Sequence, residues 1–178
     1  MKRFTCIVLV SLIGSSSGAI AAPESLYGKT LRVTWSESRS QRVRGEGEFK
    51  SVSIPLSYTV YVSSKGQLFK RLTSTTSSGR QSGSKDRVGS SGSDSQGSGN
   101  ISFQGNTLIA TANNGGLGRR IRITIDGGSS CSAEVLTGKA GTGTATVRSN
   151  ATGKMMEFNS VSAGSATCSL QEGNAFAN

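Results

Sequence analysis

A chain of 178 residues with 24 glycines, 2 prolines and no histidine has room for one domain around one core. The missing histidine removes the commonest general base and metal ligand, and 6% aromatic residues are too few for the aromatic girdles and lipid-facing band of an outer-membrane barrel. Twenty Lys and Arg against ten Asp and Glu, a net charge of +10, predict attraction to polyanions.

Residues 1–21 read as a cleavable secretory signal. Lys2 and Arg3 give the positive start, Phe4 to Ile13 the apolar stretch, and Ala19-Ile20-Ala21 the small-x-small site, with cleavage after Ala21. The apolar run is too short to cross a hydrocarbon core, which needs about 20 residues in a helix. A periplasmic or secreted location is expected, with residues 22–178 as a single all-β domain and no transmembrane segment after cleavage. Losing Lys2 and Arg3 leaves 18 basic and 10 acidic residues, a net +8. Cys6 goes too, and the even pair that stays, Cys131 and Cys168, predicts one structural disulfide in an oxidising compartment.

Alternation of apolar and polar residues then recurs along the chain. Leu31, Val33 and Trp35 face one way and Arg32, Thr34 and Ser36 the other, the period of a half-buried strand. Val52, Ile54, Leu56, Tyr58, Val60 and Val62 repeat it at greater length. Pro55 within this run has no N–H for a ladder bond, so the strand is expected to lie at an edge or bend there. Lys65-Gly66 turns the chain toward Leu68 and Leu72 as a hairpin.

Residues 77–99 break the pattern. Ser and Gly fill 15 of the 23 positions, and Val88 is the one clearly apolar residue, too little burial to offset the entropy of ordering it. A flexible loop is expected, with Arg80, Lys85 and Arg87 able to make it a charged arm.

Strands resume at Ile101 to Gln104 and Thr107 to Ala112, joined by Gly105-Asn106, a two-residue hairpin turn. Ile121, Ile123 and Ile125 alternate with Arg120, Arg122 and Thr124; Cys131, Ala133 and Val135 follow. Ala145 with Val147, Met156 with Phe158, and Ala166 with Cys168 and Leu170 suggest three more. The expected fold is therefore all-β, an antiparallel meander of about 8 to 10 strands closing into a small barrel, with a β-sandwich as the alternative.

The segments Gly28 to Arg39 (GKTLRVTWSESR), Ile101 to Ala110 (ISFQGNTLIA) and Arg119 to Val135 with its Cys131 resemble uncharacterised small exported bacterial β-sheet proteins. That resemblance covers most of the mature chain and implies no activity, ligand or site residue.

Chemistry is sparse. Glu134, Glu157 and Asp126 are isolated acids whose spacing does not form a glycosidase pair, and no metal or cofactor site is expected. The chain reads as a non-enzymatic binding protein of the cell envelope. Arg32, Arg42, Arg44, Arg119, Arg120 and Arg122 are its anion-binding candidates, with Lys70 and Arg71 also basic; Arg32, Arg120 and Arg122 would form a patch if they shared one outer face. Partners would be anionic envelope polymers, lipids or an acidic protein. Specific nucleic-acid binding is not expected, since few aromatics interleave with the charges. A second reading is a lipocalin-like carrier of a small apolar ligand, with Trp35, Tyr58, Phe103 and Phe158 lining its pocket. A third is an inhibitor of a secreted protease, by analogy with other small disulfide-bridged barrels.

Overall fold

The computed structural model describes residues 21–76, 79–82, 86–88, 99–114, 116–139, 143–149 and 152–177. The signal segment, apart from Ala21, lies outside these residues. A 3-10 turn, Glu24–Leu26, leads into β1 (Lys29–Val43), β2 (Lys50–Val62), β3 (Leu68–Thr76), β4 (Gly79–Ser82), β5 (Asp86–Arg87) and β6 (Gly99–Gln104). After these come β7 (Thr107–Asn114), β8 (Leu117–Asp126), β9 (Ser130–Lys139), β10 (Ala145–Arg148), β11 (Met155–Ala163) and β12 (Thr167–Glu172). Every pairing is antiparallel.

Two sheets result. The larger has eight strands in the order β10-β11-β1-β2-β3-β4, with β12 also on β1 and β5 also on β3; the smaller is the meander β6-β7-β8-β9. The large sheet curls into a half-barrel and the small one covers its inner face. Among the described residues the two hydrogen-bond ladders stay separate, so side chains rather than a continuous ladder enclose the core. Leu31 and Val33 from β1, Val60 and Val62 from β2, and Leu108 and Ile123 from the small sheet are buried in one cluster.

The 15-residue β1 organises the large sheet. One edge carries β2 from Gln41↔Lys50 to Thr30↔Tyr61. The other carries β11 along Glu37 to Val43 and β12 along Lys29 to Thr34. β11 and β12 therefore act as one long strand, interrupted where Gly164 donates its N–H to the Ser36 carbonyl at 2.8 Å. The first and last strands, β1 and β12, pair with each other, the contact through which an antiparallel meander curls back on itself.

Pro55 pairs with Ser36 on β1, one residue beyond Leu56↔Ser74, where the β2–β3 ladder stops. β2 is a central strand with a local edge at its proline, which satisfies the ladder constraint. At the β6–β7 turn Gly105 has φ of +57° and Asn106 does not enter positive φ, as a turn with glycine first requires.

Residues 77–99 depart in part from the loop reading. β4 and β5 both add to the free edge of β3, and Val88 is buried in the main core. An unpaired β3 edge offers backbone hydrogen bonds that do not depend on side-chain hydrophobicity, which is why a Ser/Gly-rich segment can join it. Residues 77–78, 83–85 and 89–98 lie outside the described ones, as do the Arg80 and Lys85 side chains.

Cys131 on β9 and Cys168 on β12 form the disulfide, with a Cα separation of 5.6 Å. It ties the small sheet to the large one. Both cysteines are half-buried against the main core, at its margin rather than inside it. Replacing both by serine should lower unfolding free energy by about 3 to 4 kcal/mol, from the chain entropy of a loop this long. A denaturant titration of the double variant beside the native protein measures it; an unchanged midpoint would contradict the assignment of a stabilising role to this bridge.

Candidate functional site

Because side chains alternate, each strand presents one row to the shared core and one to the outside. Sorting the basic residues by face and by partner separates them into two groups.

The first group is paired with carboxylates. Arg119 is buried and faces inward from β8, in step with Ile121 and Ile123. Its Nε donates to Glu37 Oε2 at 2.8 Å and its Nη2 to Oε1 at 2.9 Å, while Arg39 Nε donates to Oε1 at 2.6 Å. Glu37 is fully buried. Arg39 also lies over the Phe158 ring, 5.6 Å from its centre. Arg42 Nε donates to Glu157 Oε2 at 2.8 Å and stacks on Phe49 at 4.5 Å, and Arg44 lies 3.8 Å from the same carboxylate. Arg122 reaches Glu134 at 3.4 Å, Lys29 reaches Glu172 at 3.3 Å, and Lys154 reaches Glu46 at 4.0 Å.

Arg119 thus belongs to the interior and not to the outer basic set in which the sequence placed it. Neighbours on one strand cannot share a face, so Arg119 and Arg120 were bound to part. Nor do Arg32, Arg120 and Arg122 share a patch: Arg32 projects from the large sheet and the other two from the small one, each away from the core between them.

The second group, Arg32, Arg71 and Arg87, has no carboxylate partner among the described side chains, which is also true of Lys50, Lys65, Arg120 and Arg148 elsewhere on the surface. Arg32 is exposed on the outward face of β1. Across the sheet its row continues through Thr59 to Arg71 on β3. Arg87 on β5 pairs with Phe69, two residues from Arg71 and on the same face. The Arg71 guanidinium sits 5.0 Å from the Phe176 ring centre, and its Nε is buried with no hydrogen-bond partner among the described residues. The C-terminal segment brings Phe176 there: Thr30 Oγ1 donates to the Gly173 carbonyl at 2.7 Å and accepts from Ala175 N–H at 3.1 Å. Tyr61 and Phe69, next along this face, stack at 6.2 Å.

Beside these arginines runs a groove of about 580 Å³ on the same outward face. Arg32 closes one end. Thr34, Ser57, Thr73 and Thr167 form one row across four strands, with Ser36 and Thr75 in the next. The Thr34 and Thr167 hydroxyls hydrogen bond at 2.7 Å. The break between β11 and β12 supplies Ser165 to the wall, and the exposed Pro55 adds an apolar surface. Strand alternation marks these hydroxyls as outward; only the pairing of distant strands makes them neighbours.

The aromatic pocket candidates fill the interior. Trp35 and Tyr58 are buried in the main core, Phe103 is half-buried against it, and Phe158 lies in a second cluster with Leu117 and Ala145. Of the four, the outward groove touches Trp35 alone, and Phe158 belongs to a different cluster from the other three. Besides Arg71 Nε, Trp35 Nε1 and Thr137 Oγ1 are buried with no hydrogen-bond partner among the described residues, Trp35 two residues before Glu37 and Thr137 opposite Arg119. Among the described residues no three His, Cys, Asp or Glu side chains gather as a metal-ligand set, and no helix is long and apolar enough to cross a membrane.

Burial by itself pushes the Glu37 carboxyl up. The hydrogen bonds and charge of Arg119, then those of Arg39, outweigh it and hold the group below its ordinary value. Arg39 is pulled below its ordinary value by burial and by Arg119, against the support of Glu37. Compared with protein-family models, curated proteins and solved structures, the chain matches none.

Two outcomes are expected from the buried cluster. Glu37→Gln strands two buried guanidinium charges and should cost about 3 to 5 kcal/mol of stability, measurable by urea unfolding. Glu37 is more acidic folded than unfolded, so its stabilisation is complete above the unfolded carboxyl value of about 4.3 and is lost as pH falls through the lower folded value. Melting temperatures from pH 7 to pH 2.5 should show that fall, and the Gln variant should show less of it.

Proposed function

We propose that this protein is an exported, non-enzymatic binding protein of the cell envelope that holds an anionic polymer on the outward face of its large sheet. The observation that supports this is the sorting of the cations. Arg39, Arg42, Arg44, Arg119 and Arg122 lie within ion-pair distance of glutamates, whereas Arg32, Arg71 and Arg87 gather on one face with no carboxylate partner among the described side chains. A guanidinium without a counter-ion keeps its full field and its bidentate fork for an incoming acid. A positively charged surface also speeds the encounter with a polyanion. The disulfide and the secretory start of the sequence favour an oxidising compartment outside the cytoplasm. Filling of the interior by Trp35, Tyr58 and Phe158 favours surface binding over carriage of a ligand inside.

Titrating the protein with fluorescent dextran sulfate at rising salt tests the reading. Binding should be clear at low ionic strength and weaken steadily as salt screens it. Arg32→Ala, Arg71→Ala and Arg87→Ala should each weaken it about two- to fivefold. Arg120→Ala, on the other sheet, should leave it unchanged. Absence of binding at low salt, or an Arg120 variant as weak as the Arg32 variant, would overturn the proposal.

A further inference from the structure

Resting on that reading, we infer that the polymer is an acidic polysaccharide, with its acid groups on Arg32 and Arg71 and its sugar hydroxyls in the adjoining groove. Arg32 and Arg71 flank Thr59 in one row, so their backbones are about 10 Å apart, two strand spacings. That separation suits acid groups on alternate residues of a chain in which each sugar carries one.

Groove chemistry narrows the class further. A carboxylate or phosphate only accepts hydrogen bonds, and a surface for such groups alone needs donors alone. Here the arginine row is bordered by hydroxyls from Thr34, Ser36, Ser57, Thr167 and their neighbours, groups that both donate and accept. A ligand with hydroxyls of its own matches them. Pro55 offers the flat apolar contact that the C–H face of a sugar ring requires.

Three other polyanions fit less well. A lipid surface calls for apolar side chains standing out beside the cations, and the large exposed ones, Tyr27, Leu136 and Met155, do not line the groove. Single-stranded nucleic acid calls for open aromatic faces; Tyr61 and Phe69 stack on each other, and Phe176 stacks on Arg71. An acidic peptide would use the arginines and offer the hydroxyl rows one amide N–H and one carbonyl per residue, fewer donors and acceptors than the several hydroxyls of each sugar.

The test compares oligogalacturonate with poly-glutamate of matched charge, a neutral oligosaccharide of matched length, anionic vesicles and single-stranded DNA, by calorimetry or anisotropy at one low salt concentration. Oligogalacturonate should bind most tightly and the neutral oligosaccharide hardly at all. Thr34→Val with Thr167→Val, and separately Ser57→Ala, should weaken oligogalacturonate by about 3- to 10-fold and leave poly-glutamate unchanged. Thermal unfolding confirms that these variants fold. Equal or tighter binding of poly-glutamate, vesicles or DNA, or hydroxyl variants without effect, would overturn this inference while the polyanion reading stands. Failure of every polyanion to bind would remove both.

Discussion

The structure depends most on the fork between Glu37 and Arg119. These two side chains come from different sheets, and both carboxylate oxygens are taken, one by Arg119 alone and one shared with Arg39. Sliding β8 along β1 by two residues would preserve the inward faces and most apolar contacts, but would leave a buried carboxylate facing an isoleucine. Apolar packing alone tolerates such a shift better than a charge does, because an unpaired buried ion costs several kcal/mol. The pair also sits where the main core meets the second cluster: Trp35 precedes Glu37 on β1, and Leu117 precedes Arg119 on β8. Its position holds the two sheets in one register, and the disulfide between β9 and β12 closes the same interface elsewhere.

The same scarcity of acids that makes the chain basic decides where its charge is felt. Glu37, Glu134, Glu157, Glu172 and Glu46 are all committed to cations within 4.0 Å. Much of the positive surface is thereby neutralised locally, and net charge is a poor guide to where a polyanion would settle. Among the described cations with no glutamate within 4.0 Å, which also include Lys50, Lys65, Arg120 and Arg148, Arg32 and Arg71 stand in one row with Arg87 nearby. Their proximity follows from the β1–β2–β3 ladder, which sets Arg32 and Arg71 on either side of Thr59. The groove beside them depends on the break between β11 and β12, since an unbroken strand would not bring Ser165 to its wall.

Reading the strands from the chain worked wherever apolar residues alternated for six or more positions, as in β1, β2 and β8. The pattern misleads where a charged residue stands in an inward position. Arg119 shares the parity of Ile121 and Ile123 and turns inward with them. Glu37 shares that of Trp35, and Lys70 that of Leu68 and Leu72, and both are buried. A charged residue in an inward position looks like a violation of the pattern until its partner is known, and the partner here lies 82 residues away. β4 and β5 could not be anticipated from composition, because they are held by backbone hydrogen bonds to an edge that any sequence can use.

The sequence alone settled the positions of the alternating strands, the turn glycines, the pairing of two cysteines and the surplus of positive charge. The first two follow from neighbours within a few residues, through the two-residue period of a strand or the conformational freedom of glycine; the last two follow from counting residue types along the chain. Folding alone decided which strands lie side by side, that β11 and β12 share one edge of β1, and which arginines have their charge countered by a glutamate. Those outcomes rest on contacts between residues far apart in the chain, where geometry and desolvation act on pairs that no local pattern identifies.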